Sequence, residues 1–155
     1  MQIGTKFSVS IHILLSVEVF REDYKVTSDF IASSVNTNPV VIRKLMSQLK
    51  KAGLIEVSRG TGGISLSRPA SKMTLQDVYR AVEPQSDLFR IHKDTAPGCP
   101  VGGNIENLLS PFFQTLQASF MESLTNVTLE DLLSSLNSLK ERNKDQSGSA
   151  SRKKA

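Results

Sequence analysis

The stretch NPVVIRKLMSQLKKAGLIEVSRGTGGISLS, residues 38–67, decides the fold. Asn38 stands where a helix N-cap would, and Pro39 follows at the first helical position, where its missing N–H costs no hydrogen bond. Gly53 stands where a left-handed C′ residue would stop the helix. Between them Val41, Leu45, Leu49 and Ala52, helped by Ile42 and Met46, follow the helical period, so the spacing predicts an inward-facing stripe on a helix from Pro39 to about Lys51. Arg43, Lys44, Gln48, Lys50 and Lys51 fill the remaining positions and make the rest of its surface basic. Beyond Gly53 the period drops to that of a strand: Leu54, Glu56 and Ser58 alternate with Ile55 and Val57, and Ile64-Ser65-Leu66-Ser67 alternates again. Arg59-Gly60-Thr61-Gly62-Gly63 between them has the composition of a tight turn, so the two runs read as a hairpin.

N-terminal to this stretch, Ile3, Phe7, Ile11, Leu14, Leu15 and Val19, with Val9 and Ile13 beside them, predict a well-buried first helix over residues 4–20, with His12 as a core or interface histidine. Thr27, Ser28 and Asp29 offer capping chemistry before a short second helix, residues 28–35, and Asn36-Thr37 begins the turn that leads to Asn38. Pro69 ends the second strand, and Thr74-Leu75-Gln76-Asp77 opens a fourth helix that Glu83-Pro84 closes. Helix, short helix, turn, basic helix and Gly-tipped hairpin, in that order, form the pattern of a winged helix-turn-helix. After a Pro- and Gly-rich connector over residues 84–103, Ile105, Leu108, Leu109, Phe112, Phe113, Leu116, Phe120 and Leu124 trace one apolar stripe that needs a partner surface, with Asn104 as cap and Pro111 as a point of bending or restart. A last helix opens at Thr128-Leu129-Glu130-Asp131. The expected class is mostly α with a small β-hairpin wing: residues 1–83 a winged helix-turn-helix domain, 84–103 a connector holding Cys99, 104–142 dimerisation helices, and 143–155 a disordered basic tail.

Composition narrows the function. The chain has 155 residues, 39% of them hydrophobic, with a net charge of +4 and a single cysteine. That length and apolar content support one domain with an added arm. One cysteine excludes a disulfide-stapled scaffold and cannot by itself supply the ligands of a structural zinc or iron–sulfur site. No apolar run approaches the roughly 18 residues of a membrane span, and the N-terminus lacks the features of a signal peptide, so the expected location is cytoplasmic. The charge is unevenly spread. Residues 1–72 carry ten basic and five acidic side chains, residues 73–139 three and eight, and residues 140–155 six and two. The N-terminal half is the polyanion-binding candidate. Lys6, Ser28, Thr37, Asn38, Val40, Arg43, Lys44, Gln48, Lys50 and the tip Arg59, Gly60, Thr61, Gly62 and Gly63 are its candidate contacts with double-stranded DNA. Arg43 is placed to read a guanine, and Arg59 to enter a minor groove.

Thr5-Lys6-Phe7, Ile31-Ala32, Pro39, Val41-Ile42-Arg43-Lys44-Leu45, Leu49-Lys50-Lys51-Ala52-Gly53-Leu54-Ile55, and above all Arg59-Gly60-Thr61-Gly62-Gly63-Ile64-Ser65-Leu66-Ser67-Arg68-Pro69, resemble the Rrf2 family of bacterial transcriptional regulators. The likeness continues through Thr74-Leu75-Asp77-Val78 and Cys99-Pro100-Val101-Gly102, and covers about residues 1–125. It implies a homodimeric repressor or dual regulator on a pseudo-palindromic operator, joined through the long C-terminal helix. The stripe from Ile105 to Leu124 suits that role on its own account. Iron–sulfur members of the family carry three closely spaced cysteines after the fourth helix; this chain has only Cys99 there, and a ligand set completed by His92, Asp94 or partner-chain residues would be unusual, so the expectation is no cluster, no metal and no cofactor. Cysteine-poor members sense oxidants or other thiol-reactive species, or have no known signal.

Two readings of Cys99 stand side by side: an unreactive, partly buried thiol, or a redox sensor favoured by the positive end of the helix that follows. Two other function classes compete with a DNA-binding regulator. An enzyme using Cys99 with His92 lacks an orienting acid, a phosphate loop and a metal motif, so no catalytic residue is expected. A protein-interaction module built on the same winged helix, or a ligand-responsive regulator in which Cys99 is inert, is the alternative.

Overall fold

A computed structural model gives the protein's structure and describes residues 4–58, 63–83 and 87–152, with side chains described as far as Lys144. The described elements run α1 (Thr5–Phe20), α2 (Ser28–Val35), α3 (Pro39–Lys51), β1 (Ile55–Val57), β2 (Ile64–Leu66), a 3-10 turn (Ala70–Lys72), α4 (Leu75–Val82), α5 (Ile105–Thr125) and α6 (Leu129–Arg152). The two strands pair antiparallel, Ile55 opposite Leu66 and Val57 opposite Ile64. A mostly helical protein with a small hairpin wing is what the periodicities lead one to expect. No helix among the described residues is long and apolar enough to cross a membrane.

The core is built round α1, whose Ile13, Leu14 and Val17 have no exposed surface. Against it pack Ile31 and Ala32 of α2, Ile42, Leu45 and Leu49 of α3, Leu54, Ile55 and Ile64 of the wing base, Val78 and Val82 of α4, and Leu129 at the start of α6. So central a helix buries even two of its three serines, Ser10 and Ser16, and leaves Ser8 exposed. His12 lies half-buried, its Nε2 2.9 Å from Ser34 Oγ, and ties α1 to α2. A ladder of rings fastens the C-terminal helices to this body. Phe7 meets Tyr79 edge-on at 5.5 Å, and Tyr79 meets Phe120 at 5.4 Å.

Four expectations change. The inward stripe of α3 is Ile42, Leu45 and Leu49, whereas Val41 is 45% exposed and Ala52 is exposed. Both series obey the helical period, and burial against α1, α2 and α4 selects the one that begins a residue later. Pro111 neither ends nor restarts α5, which runs through it. Inside the helix it costs an internal hydrogen bond, but its carbonyl accepts from Thr115 Oγ1 at 3.0 Å. Asn104 does not cap α5 with its side chain; its Nδ2 donates to the Pro100 carbonyl at 2.8 Å and closes the preceding loop instead. The tail expected to be disordered from residue 143 continues α6 to Arg152, while residues 153–155 lie outside the described part. Lys140, Glu141, Arg142 and Lys144 are good helix formers, and adding a residue to an existing helix costs far less than starting one.

Reciprocal caps fix the starts of α4 and α6. Thr74 and Asp77 form a capping box, in which Asp77 Oδ2 accepts from Thr74 N at 2.9 Å and also from Arg68 Nη2 at 2.8 Å. Partial burial opposes ionisation of Asp77, but the Thr74 backbone N–H, the Arg68 guanidinium and the Thr74 hydroxyl outweigh it and hold its pKa below the ordinary carboxylate value. Thr128 and Asp131 repeat the device at α6, where Asp131 Oδ2 accepts from Thr128 N at 2.8 Å. A group whose pKa is depressed by folding adds stability above its unfolded pKa, and that stability is lost as pH falls through the folded value. Asp77→Asn is therefore expected to lower stability at about pH 7 by about 1 kcal/mol, with the gap from wild type closing below about pH 4. Thermal melts of both proteins across that range check this.

Candidate nucleic-acid interface

The turn between α2 and α3 is held by caps on both sides. Thr27 Oγ1 accepts from Phe30 N at 3.2 Å at the head of α2, and Asn36, at φ 57°, ends that helix in the left-handed region that asparagine tolerates. Thr37 N then donates to the Ala32 carbonyl at 3.0 Å, and Asn38 Oδ1 accepts from Val40 N at 2.8 Å, starting α3. Because Ile42, Leu45 and Leu49 point inward, α3 presents Asn38, Val40, Arg43, Lys44 and Lys50 outward, and Val40 is 63% exposed. The first half of this outer surface thus mixes charge with two exposed valines, a composition suited to both base edges and thymine methyl groups. Val41 and Ser47 are exposed there too. Neither stands out as a contact in the sequence, because Val41 reads as core and Ser47 is uncharged; counting the period from Ile42 would have placed both outside.

The other expected contacts are less uniform. Thr37 and Ser28 are half-buried, and Lys6 is exposed on the first turn of α1. Arg43 spans two helices: its Nε donates to Ser28 Oγ at 3.2 Å and its Nη2 to Asp29 Oδ1 at 3.3 Å. Gln48 is half-buried, with its Oε1 shielded and without a hydrogen-bond partner among the described residues, so it is less available than its place among the polar positions of α3 suggests. Gly63 is half-buried just before β2 with open space around its Cα, and Arg59, Gly60, Thr61 and Gly62 lie outside the described residues.

The arrangement is a helix-turn-helix followed by a hairpin wing, with a basic outer surface on its second helix. The family model Rrf2, described as an iron-dependent transcriptional regulator, matches residues 3–135. The chain belongs to the Rrf2 family. It is 40% identical over 134 residues to YwnA of Bacillus subtilis (strain 168), named as an HTH-type transcriptional regulator, a match covering 86% of this chain and 98% of that protein. A solved structure described as a DNA binding protein is 37% identical, with a TM-score of 0.66, covering 83% of this chain and 98% of that one. The structure of CymR (YrzC), the global cysteine regulator of B. subtilis, is 25% identical with a TM-score of 0.62, covering 86% and 97%. The protein is accordingly a transcriptional regulator of the Rrf2 type.

The family description raises iron, and the donor set does not fit it. The sequence holds one cysteine, and the described residues include no group of three or more His, Cys, Asp or Glu side chains able to hold a metal ion. Cys99, His92 and Asp94 are all exposed.

Cys99 is exposed rather than partly buried. Its loop is tightly folded: Cys99 N donates to the Ala96 carbonyl at 3.1 Å, Gly103 N to the Cys99 carbonyl at 2.9 Å, and Thr95 Oγ1 to the Gly102 carbonyl at 2.6 Å. A Cβ on Gly102 would stand 2.9 Å from the Ala96 carbonyl oxygen, so the loop closes only because that side chain is missing. Hydrogen bonds from the Gly102 and then the Val101 backbone N–H outweigh a slight burial effect and hold the thiol pKa below its ordinary value. These two amides belong to the loop that precedes α5. Alkylation of Cys99 by iodoacetamide is expected to reach half its maximal rate below about pH 8.5, the ordinary thiol value. Gly102→Ala should move that midpoint upward, and rate measurements against pH check both.

The stripe on α5 divides. Leu109, Phe113 and Phe120 are half-buried within the chain, Phe113 against Phe89 at 5.2 Å and Phe120 against Tyr79, and Ile105 is half-buried at the helix start. Leu108, Phe112 and Leu116 are 57%, 64% and 49% exposed. Their i, i+4, i+8 spacing sets them in one row on the outer side of α5.

Proposed function

We propose that the protein is a sequence-specific DNA-binding repressor that acts as a homodimer on a pseudo-palindromic operator. The observation that carries the reading is the outer surface of α3, where Asn38, Val40, Arg43 and Lys44 stand together at the N-terminal half of a well-anchored helix. Such a helix fits the major groove, with Arg43 reading a guanine and the valines meeting thymine methyls. Lys6, Lys44 and Lys50 neutralise phosphates, Ser28, Thr37 and Gln48 add polar contacts, and the wing, with Arg59 and its glycines through Gly63, follows the backbone or the minor groove.

The exposed row Leu108, Phe112 and Leu116 supports pairing through α5, because two-fold symmetry lets one apolar row cover its own copy. In this division of labour residues 1–83 bind DNA, residues 84–103 connect, and α5 with the start of α6 joins the copies. A dimer of this kind places two α3 helices on half-sites about 34 Å apart, and occupancy of the site would exclude the transcription machinery. Cys99, in the loop that leads into α5, then lies beside the pairing element in both copies. A hydroperoxide supplies the signal: the Cys99 thiolate attacks its terminal oxygen, the S–O bond forms as the O–O bond breaks, sulfur is oxidised by two electrons to a sulfenic acid, and the departing oxygen takes a proton from solvent and leaves as water or alcohol. A second thiol, small or the partner's Cys99, condenses with it to a disulfide and releases water. The change beside α5 alters the separation of the α3 helices and weakens binding.

Titration of duplex DNA enriched by the purified protein from a random pool tests the reading. Affinity should fall about 1,000-fold between roughly 50 and 200 mM salt if about six phosphates are contacted. Arg43→Ala should cost about 1–3 kcal/mol on enriched duplex and little on random duplex, whereas Lys50→Ala weakens both alike. Peroxide should weaken binding by wild type and leave Cys99→Ser unaffected; equal loss in both removes the redox role. Phe112→Glu is expected to yield monomers in sedimentation, with loss of tight operator binding while thermal stability of the N-terminal body is kept, since a charge in an apolar pairing row goes unpaired.

A further inference from the structure

We infer that Asp29, assisted by Ser28, is a specificity-determining residue that positions the Arg43 guanidinium for base reading. The inference rests on DNA binding through α3 and goes beyond it, because Asp29 is acidic and would otherwise count only against a phosphate-facing surface.

The geometry is specific. A guanidinium has five N–H donors in a fixed plane. Nε–H and one Nη2–H lie along its side edge; the second Nη2–H and one Nη1–H form its end fork. In this protein the side edge is the one engaged, Nε on Ser28 Oγ at 3.2 Å and Nη2 on Asp29 Oδ1 at 3.3 Å. Among the described residues nothing engages the end fork, and that pair of donors can bond guanine O6 and N7 together. Arg43 and Asp29 are both exposed, so the pair adds little to the stability of the fold. Its effect is on conformation: a long side chain that would otherwise sample many rotamers is held in one direction before DNA arrives, so less ordering is required on binding.

Asp29 also acts against the wrong partner. Its carboxylate repels phosphates wherever Arg43 does not find a base to bond, which lowers affinity for random duplex. Removing it should therefore blunt discrimination from both sides, while leaving the salt-dependent attraction of the lysines intact.

The test compares wild type, Asp29→Ala, Ser28→Ala, Arg43→Ala and the double variant Asp29→Ala with Arg43→Ala. Each selects from a random duplex pool, and affinities are then measured on enriched and random duplex. Arg43→Ala should lose preference at one position in each half-site. Asp29→Ala should lose about 3- to 5-fold of discrimination at that same position, the size of an exposed ion pair, with binding to random duplex equal or tighter and an unchanged melting temperature. Ser28→Ala should weaken the same position, and Asp29→Ala should add nothing once Arg43 is gone. Wild-type preference retained in Asp29→Ala, a loss that adds fully to that of Arg43→Ala, or tighter binding of the enriched duplex would each overturn the inference. Failure of wild type to enrich any duplex overturns the DNA-binding reading, and this inference with it.

Discussion

Burial of Ile42, Leu45 and Leu49 in the core that α3 shares with α1, α2 and α4 is the constraint that sets the other features of the structure. These three side chains set the rotation of α3 about its own axis, and a helix turned by one residue moves every side chain by about 100°. With this rotation the basic and polar positions face out together with Val40 and Val41, and Arg43 comes within reach of Ser28 and Asp29. The α1 side of the contact is firm because Ile13, Leu14 and Val17 are themselves wholly enclosed, so α3 packs on a close-packed surface with little room to shift.

A similar division governs α5. One row of its apolar side chains fastens the helix to the body through Phe113, Phe120 and their ring partners, and the adjoining row is left open. The two rows differ by a single position, Leu108 beside Leu109 and Phe112 beside Phe113, which is why they read as one stripe in the sequence. The acidic excess of residues 73–139 falls in this part of the chain, whereas the basic positions of α3 belong to the N-terminal half. Charge and apolar surface are thus allotted to different jobs, one long-ranged and salt-dependent, the other short-ranged and contact-driven.

Much of the fold is legible in the sequence because its signals are local. Asn38-Pro39 and Gly53 bound α3, Thr74 and Asp77 open α4, and the change of period after Gly53 marks the hairpin; each works within a few residues and needs no tertiary partner. The departures share a cause as well. Val41 and Ile42 are neighbours of similar hydrophobicity, so only the surface that α1, α2 and α4 together offer distinguishes them. Asn104 is a good capping residue whose side chain instead bonds the Pro100 carbonyl of its own loop. Pro111 is tolerated because one missing bond is a small part of a 21-residue helix. Of the expected site, the outer residues of α3 come together, whereas Gln48 turns partly inward and Arg43 acquires partners that its sequence neighbours do not reveal.

Element order, family and the lone cysteine, which cannot by itself supply a cluster's ligands, are all legible along the chain, since composition and short-range pattern suffice for each. Only the tertiary structure decided which side of α3 faces outward, that Asp29 lies against Arg43 fourteen residues away, that the α5 stripe has a bound row and an open one, and that Cys99 sits exposed before two backbone amides. For α3 and α5 the physical reason is the same. Helical periodicity names the candidates for burial, but which of two adjacent rows is buried depends on the surface that another part of the chain offers, and that surface exists only once the chain has folded.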